Sequence, residues 1–182
     1  DVCFVAWWSG EDFVGDGCSF FLGDAASEGL LINSFTNIDG KKSSEIVIDK
    51  VSVPARSRLG DAGSALPALQ KIIDRATVSV SAEAVGAMEL LLQKTVEYSK
   101  TRKQFGTSIG TFQALQHRMA DMFIECQLAR SIVVMAAMRL DSAESDLEKT
   151  KAVSAAKSRV GEAIRKVGQE SIQIHGGIGM TD

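Results

Sequence analysis

Two short stretches hold the residues best suited to chemistry. Arg102-Lys103-Gln104-Phe105-Gly106 is answered about seventy residues later by Gln173-Ile174-His175-Gly176-Gly177-Ile178-Gly179. A guanidinium is permanently charged and can fork onto phosphate oxygens, and Phe105 beside it offers a flat apolar surface for a ring system. Gly176, Gly177 and Gly179 let a ligand come close to the backbone, although glycine after a helix also serves as a cap. Between the two stretches, Phe112-Gln113-Ala114-Leu115-Gln116-His117 sets two side-chain amides at a helix start, where free N–H groups can meet an acceptor-rich ligand. Together these residues can grip a large phosphorylated cofactor. Singly, each has a plainer reading: a solvated arginine, amides engaged in capping, a glycine C-cap. His175 continues an apolar face through Ile172 and reads as packing or a structural hydrogen bond rather than proton transfer.

The elements that must position these residues follow from hydrophobic period. Up to about Gly60 the chain reads as short strands, Val2–Trp8, Cys18–Leu22, Leu30–Ser34, Glu45–Ile48 and Val51–Val53, separated by turn clusters such as Gly15-Asp16-Gly17 and Asp39-Gly40. Trp7 and Trp8 are expected to pack in the sheet. Composition changes between Leu59 and Ser64, which divides residues 1–62 from residues 63–182. Ser64 is the expected N-cap of a first long helix, with Pro67 in its first turn and an apolar face of Leu69, Ile72, Ile73, Ala76, Val80, Ala84, Met88, Leu91 and Val96. That helix should run to about Thr101. A second starts near Thr111, with Leu115, Met119, Met122, Phe123, Cys126, Ala129, Ile132, Val133, Ala136 and Leu140 on one face. After the polar turn Asp141–Asp146 a third carries Ala152, Ala155, Ala156, Val160, Ala163, Ile164, Val167 and Ile172. The fold class is therefore α+β: a partial antiparallel β-barrel or sandwich segment, then an antiparallel up-down bundle of three long helices that a fourth would complete.

Composition removes several function classes. The 182 residues are 45% hydrophobic and 24% charged, enough apolar content for a substantial core. A net charge of -3 with scattered basic residues leaves no footprint for nucleic acid. No run has the length of a membrane span and no signal peptide opens the chain. Cys3, Cys18 and Cys126 lie far apart, as reduced thiols in an intracellular compartment would, and His117 and His175 alone make a zinc site a poor expectation. A strand-like run at the start and a stop directly after a glycine turn suggest a fragment of a longer protein.

In this order, the residues resemble the acyl-CoA dehydrogenase family. The likeness runs from Tyr98-Ser99-Lys100-Thr101-Arg102-Lys103-Gln104-Phe105-Gly106 through Ile109 and Phe112-Gln113-Ala114-Leu115-Gln116-His117-Arg118-Met119-Ala120-Asp121-Met122 to the glycine cluster. Asp39-Gly40 and Val51-Ser52-Val53-Pro54 look like the end of that family's middle β-domain. The flavour is that of small subunits of bacterial enzymes of the pimeloyl-CoA type. The resemblance implies an FAD enzyme removing hydrogens from the α and β carbons of an acyl-CoA in fatty-acid, dicarboxylic-acid or related oxidation. It further implies a cytoplasmic homo- or hetero-oligomer, dimer or tetramer, with FAD shared between subunits and a flavoprotein as electron acceptor. Arg102 would meet the FAD diphosphate with Gln104, Phe105, Ile109 and Gln113 around it, and Gln173, Gly176 and Gly177 would cover the adenosine side.

The departures concern the catalytic base. Most members carry a glutamate in the loop before the last helix, beyond Asp182. A minority carry it early in the first long helix directly before an arginine, and an ungapped count back from Arg102 puts those positions on Ala76 and Thr77. Asp74-Arg75 sits two positions early, about 200° around a helix, and Glu83 lies about 10 Å further along from Ala76 near the same face. Neither is assigned as the base, which stays unassigned. Two other readings remain: a catalytically silent subunit that completes an FAD site for a partner chain, and a non-enzymatic helical-bundle interaction module.

Overall fold

The computed structural model describes the backbone of residues 2–8 and all of residues 17–142 and 145–180. The turn expected at Gly15-Asp16, the packing of Trp7 and Trp8, and residues 181–182 lie outside the described residues. The chain divides into two compact units, Asp1–Gln70 and Lys71–Asp182.

In the first unit, β1 (Val2–Trp8) pairs antiparallel with β2 (Cys18–Asp24), from Val2 opposite Asp24 to Trp8 opposite Cys18. β3 (Leu30–Thr36) and β4 (Lys42–Ile48) make a separate antiparallel hairpin. The strand expected at Val51–Val53 does not form. Pro54 has no N–H for a ladder and leads into a 3-10 turn, Ala55–Ser57, after which the two-residue β5 (Arg58–Leu59) pairs with Phe21 and Phe20 of β2. The sheet order is β1-β2-β5, with no closed barrel among the described residues. Cys18, Phe20 and Ala65 form a small core, and the Ala65 N–H donates to the Cys18 carbonyl at 2.9 Å.

Three long helices follow: α1 (Leu66–Thr101), α2 (Gln113–Leu140) and α3 (Asp146–His175). Pro67 lies in the first turn of α1, as expected. Ser64 does not cap it, because its hydroxyl donates instead to the Asp61 carbonyl at 2.8 Å and closes the preceding turn. α3 is capped by Ser145, whose hydroxyl accepts from the Glu148 N–H.

Side-chain bonds fix the helix directions. Asp74 accepts from Thr150 at 2.7 Å, and Thr95 meets Ser171 at 2.9 Å, so α1 and α3 run parallel with one constant offset between the two fasteners. Arg118 with Glu170, and Glu125 with Arg159 and Lys166, set α2 antiparallel to α3. Glu89 with Arg130 joins α1 to α2, which run antiparallel because α1 parallels α3 and α2 opposes it. The shared core contains Val85, Met88, Met122, Cys126, Ala129, Val133, Val160, Ala163 and Val167. Burial pushes the Cys126 thiol upward, and the nearby Glu89 and Glu125 carboxylates add to the shift, so it packs as an uncharged group.

The face expected on α1 is corrected. Ile72, Ile73, Ala76 and Val80 are exposed, and the inward stripe is Asp74, Ser81, Val85, Met88, Thr95 and Ser99. A buried hydroxyl is tolerated when its helix satisfies it: Ser81 donates to Thr77 O at 2.7 Å, Thr95 to Leu91 O at 2.7 Å and Ser99 to Val96 O at 2.8 Å. On α2, Phe123 is turned outward, and on α3 Val153, Ser171 and Ile174 take inward places while Ala155 and Ile172 are exposed. The other expected positions on these two faces are buried or half-buried.

Candidate functional site

The turn leaving α1 is a miniature hairpin. β6 (Lys103–Gln104) pairs with β7 (Thr107–Ser108), joined by Phe105 at φ +53° and Gly106 at φ +82°. Two left-handed residues in a two-residue loop make a type I′ turn, a geometry that ordinarily selects asparagine and glycine. A phenylalanine there costs about 1–2 kcal/mol in backbone sterics. The residue is 93% exposed, so packing within the described residues does not repay that strain, and an edge contact to Phe112, ring centres 6.2 Å apart, is the aromatic contact it makes. Strained backbone at an exposed aromatic makes Phe105 a candidate contact residue.

The hairpin is tied firmly to the end of α1. The Ile109 N–H donates to the Arg102 carbonyl at 2.9 Å. The Ser108 hydroxyl lies 2.7 Å from the Ser99 carbonyl and 3.0 Å from that of Lys100, sharing its proton between two helix-end acceptors. The following 3-10 turn, Ile109–Thr111, packs so closely that a Cβ on Gly110 would sit 3.0 Å from the Ser99 carbonyl oxygen. Gly110→Ala is accordingly expected to lower unfolding stability by about 1–3 kcal/mol in urea denaturation. Gly161→Ala, where an added Cβ meets open space inside α3, should instead be neutral or stabilising by about 0.5–1 kcal/mol.

Facing the hairpin is the end of α3, where Gly176 at φ +65° terminates the helix and donates to the Gln173 and Ile172 carbonyls. A 3-10 turn, Gly176–Met180, follows. Between hairpin and turn lies an open hollow of about 620 Å³. Arg102, Gln104, Phe105, Ile109, Gln173, Gly176 and Gly177 all line it. Gln113 does not line it and stands exposed at the start of α2. Among the described residues the Arg102 guanidinium and the Gln113 and Gln173 amides have no hydrogen-bond partner, whereas Gln104 donates to the Lys103 carbonyl at 2.7 Å. Cβ atoms on Gly176 and Gly177 would meet nothing within 4 Å, so the glycine wall faces free space.

Seven further lining residues were not singled out from sequence as site residues: Tyr98, Phe112, Leu115, Arg118, Ile174, His175 and Ile178. The Tyr98 and His175 rings stack at 4.4 Å, and Leu115 and Arg118 come from the first turns of α2. Arg118 engages Glu170 through two nitrogens, at 2.6 and 3.2 Å. Their signal was positional: Tyr98 stands one helical turn before Arg102, and Leu115 and Arg118 are three apart on one face. His175, read as structural, is half-buried in that stack, and its Nδ1 lies 2.8 Å from the Ser171 carbonyl.

The candidate bases fall elsewhere. Asp74 is buried in the α1–α3 contact with Thr150, and Glu83 is exposed on α1. Among the described residues no group of three or more histidines, cysteines or carboxylates could hold a metal ion. No described helix is long and apolar enough to cross a membrane.

Comparison with known proteins is consistent along the chain. Residues 66–182 match the family model described as acyl-CoA dehydrogenase, C-terminal domain. The chain is 31% identical over 166 residues to the caffeyl-CoA reductase-Etf complex subunit CarC of Acetobacterium woodii, an alignment covering 90% of this chain and 43% of that protein. Butyryl-CoA dehydrogenase from Megasphaera elsdenii superposes with a TM-score of 0.90 at 28% identity, covering 100% of this chain and 47% of that one. PigA, solved with FAD and proline, gives a TM-score of 0.89 at 26% identity, covering 100% and 47%. The chain thus spans less than half the length of each. On the match of its helical part and on the likeness of its whole length, the chain belongs to the acyl-CoA dehydrogenase family.

Proposed function

We propose that this chain is part of an FAD-dependent acyl-CoA dehydrogenase, acting in α,β-dehydrogenation of an acyl-CoA thioester, and that it supplies one wall of the site for the adenosine diphosphate half of FAD. Residues 1–62 are read as the C-terminal part of the middle β-domain and residues 63–182 as the helical domain. The observation that carries the reading is the hollow, which gathers an unpaired arginine, an outward aromatic ring and an open glycine wall from segments far apart in sequence. Its volume lies within the range of about 300–1,000 Å³ common to small-ligand sites.

The residues suit the group chemically. Arg102 would fork onto the diphosphate, with Gln104 donating nearby and Phe105 and Ile109 shielding that pairing from water, whereas Gln113, outside the hollow, has no place in this contact. Gln173, Gly176 and Gly177 would receive the adenosine side, where an absent Cβ permits backbone approach. Bound FAD supplies the two-electron acceptor that side chains lack. The hollow is open on one side, which supports a site completed by a neighbouring subunit. Exposed Ile124, Leu128, Met135 and Met138 along one side of α2 support a further polypeptide surface over the bundle.

A second reading, a silent subunit that holds cofactor while a partner chain takes the proton, rests on the early-helix base position alone, since most members carry the base beyond Asp182. Asp74 points into the α1–α3 core and Glu83 is exposed, while Ala76 and Thr77 occupy the positions of the early-helix base. The name of CarC, a subunit of a complex with Etf, is in keeping with a flavoprotein partner for either reading.

The test is the visible spectrum of the full-length protein before and after anaerobic addition of acyl-CoA thioesters. A flavin band that bleaches supports the dehydrogenase, and a band that never bleaches supports the silent subunit. A colourless protein that takes up no FAD contradicts both.

A further inference from the structure

Resting on the FAD reading above, we propose that Thr95 and Ser171 are a positioning pair for the hollow: their buried hydrogen bond fixes the α1 end against the α3 end along the helix axes, and so sets how the two walls meet a ligand. Each wall is carried by its own helix. The hairpin is bound to the α1 end by the Ser108 hydroxyl, which donates to the Ser99 carbonyl at 2.7 Å, and by the Ile109 N–H, which donates to the Arg102 carbonyl at 2.9 Å. The glycine turn is bound to the α3 end by the Gly176 N–H, which donates to the Gln173 and Ile172 carbonyls. A slip of α1 along α3 therefore carries one wall past the other. Packing resists such a slip only weakly. On α1 the inward residues Asp74, Ser81, Met88 and Thr95 recur at steps of seven, and on α3 the buried Val153, Val160, Val167 and Ile174 do the same. A repeating seam of this kind is specified in register by polar residues within it, at some cost in stability.

Two polar pairs join α1 to α3, Asp74 with Thr150 and Thr95 with Ser171, each between residues 76 apart in sequence. They lie about 31 Å from each other along the helices, so the first is remote from the hollow and the second is beside it. Thr95 and Ser171 are both buried. The Thr95 hydroxyl has one proton, which goes to the Leu91 carbonyl at 2.7 Å, so Ser171 is the donor in the 2.9 Å contact with Thr95. The Ser171 carbonyl in turn lies 2.8 Å from the His175 ring, which stacks on Tyr98 at 4.4 Å, and both rings line the hollow. The Tyr98 hydroxyl reaches the His175 carbonyl at 3.4 Å, a longer bond than the one between Thr95 and Ser171. The proton count also makes the pair separable from folding. Ser171→Ala removes a donor and leaves the Thr95 proton on Leu91, so the Thr95 hydroxyl keeps a partner.

The experiment measures FAD dissociation constants, by quenching of flavin fluorescence, and ligand-free thermal midpoints for the full-length protein. Ser171→Ala and Thr95→Val should each raise the dissociation constant roughly fivefold, the scale of one neutral hydrogen bond. The midpoint of Ser171→Ala should stay within a few degrees of wild type. The double variant should lose no more affinity than either single one, because both changes break the same bond. Thr95→Ser keeps the accepting oxygen and should bind as the wild type does. Thr150→Val breaks the remote pair and controls for general loosening: it should lower the midpoint but leave the dissociation constant within about twofold of wild type, as expected of a distant, independent site. Wild-type affinity in both single variants, additive losses in the double variant, or an equal loss in Thr150→Val overturns the proposal and leaves the FAD reading intact. A wild type that binds no FAD instead ends the FAD reading. Should Thr95→Val fail to fold, Ser171→Ala set against Thr95→Ser and Thr150→Val gives the same decision.

Discussion

Replacing Arg102 with alanine in the full-length protein is expected to raise the FAD dissociation constant roughly ten- to a hundred-and-fiftyfold. The figure follows from losing a hydrogen-bonded contact to a charged group, about 1.5–3 kcal/mol. Arg102 has no partner among the described residues, so its removal leaves no buried protein group unpaired, and the fold should be unharmed. Thermal midpoints without ligand should therefore agree within a few degrees. Arg102→Lys should recover only part of the affinity, because an ammonium cannot fork onto two oxygens. Lys103→Ala separates local from general electrostatics. That neighbour carries the same charge but does not line the hollow, and the variant should bind within about a factor of two of wild type. Equal losses at both positions would mean that overall charge, not the Arg102 fork, governs binding.

The second large effect concerns the bundle. Glu125 of α2 accepts from the Arg159 guanidinium and, at 3.0 Å, from the Lys166 ammonium, both on α3. Its side chain is only 14% exposed. Glu125→Ala removes the anion from between two cations, one of them the half-buried Arg159, and should cost about 2–3 kcal/mol at pH 7 in urea denaturation. The Arg159 hydrogen bond holds the Glu125 carboxyl below the ordinary glutamate value; burial opposes it, and Lys166 adds to the lowering. A depressed carboxylate stabilises the fold above its unfolded pKa, about 4.3 for glutamate, and loses that contribution as pH falls through the folded value. The gap between wild type and Glu125→Gln should thus be full at pH 7 and narrow progressively below about pH 4.3. A gap that stays constant down to pH 3 would show that Glu125 acts through packing alone.

Much of this architecture was legible from period and punctuation. The three helices, the chain reversal at Gly106 and the strands β1 to β4 follow from apolar spacing and from glycine and proline positions. What was missed has physical causes. An apolar pattern cannot find a stripe built of Asp74, Ser81, Thr95 and Ser99, because these groups are inward only by virtue of bonds to their own helix or to Thr150 and Ser171. The face was drawn through Ile72, Ile73 and Val80, which lie beside it. No strand forms over Val51–Val53, where β-propensity suggested one before Pro54, and Ser64 closed a turn where spacing suggested a cap.

In the candidate site, the hairpin and the glycine turn could be singled out from their residue types, and the hollow is where seven of the eight expected cofactor residues meet. Gln113 stands outside it, since a residue at the start of α2 need not share the direction of Gly110 and Ile109 just before it. The Tyr98–His175 stack depends on the parallel offset of α1 and α3, which no local pattern encodes. Likewise, the strain at Phe105 is a property of backbone angles and could only be seen in three dimensions.

The central claim is that the hollow receives the adenosine diphosphate portion of FAD. Competition binding to the full-length protein tests it most directly, with FAD as the reporter and ADP or FMN as competitor. The account predicts that ADP displaces FAD, that Arg102→Ala weakens ADP as it weakens FAD, and that FMN, which lacks the adenosine diphosphate half, competes poorly. Displacement by FMN with no displacement by ADP would contradict it.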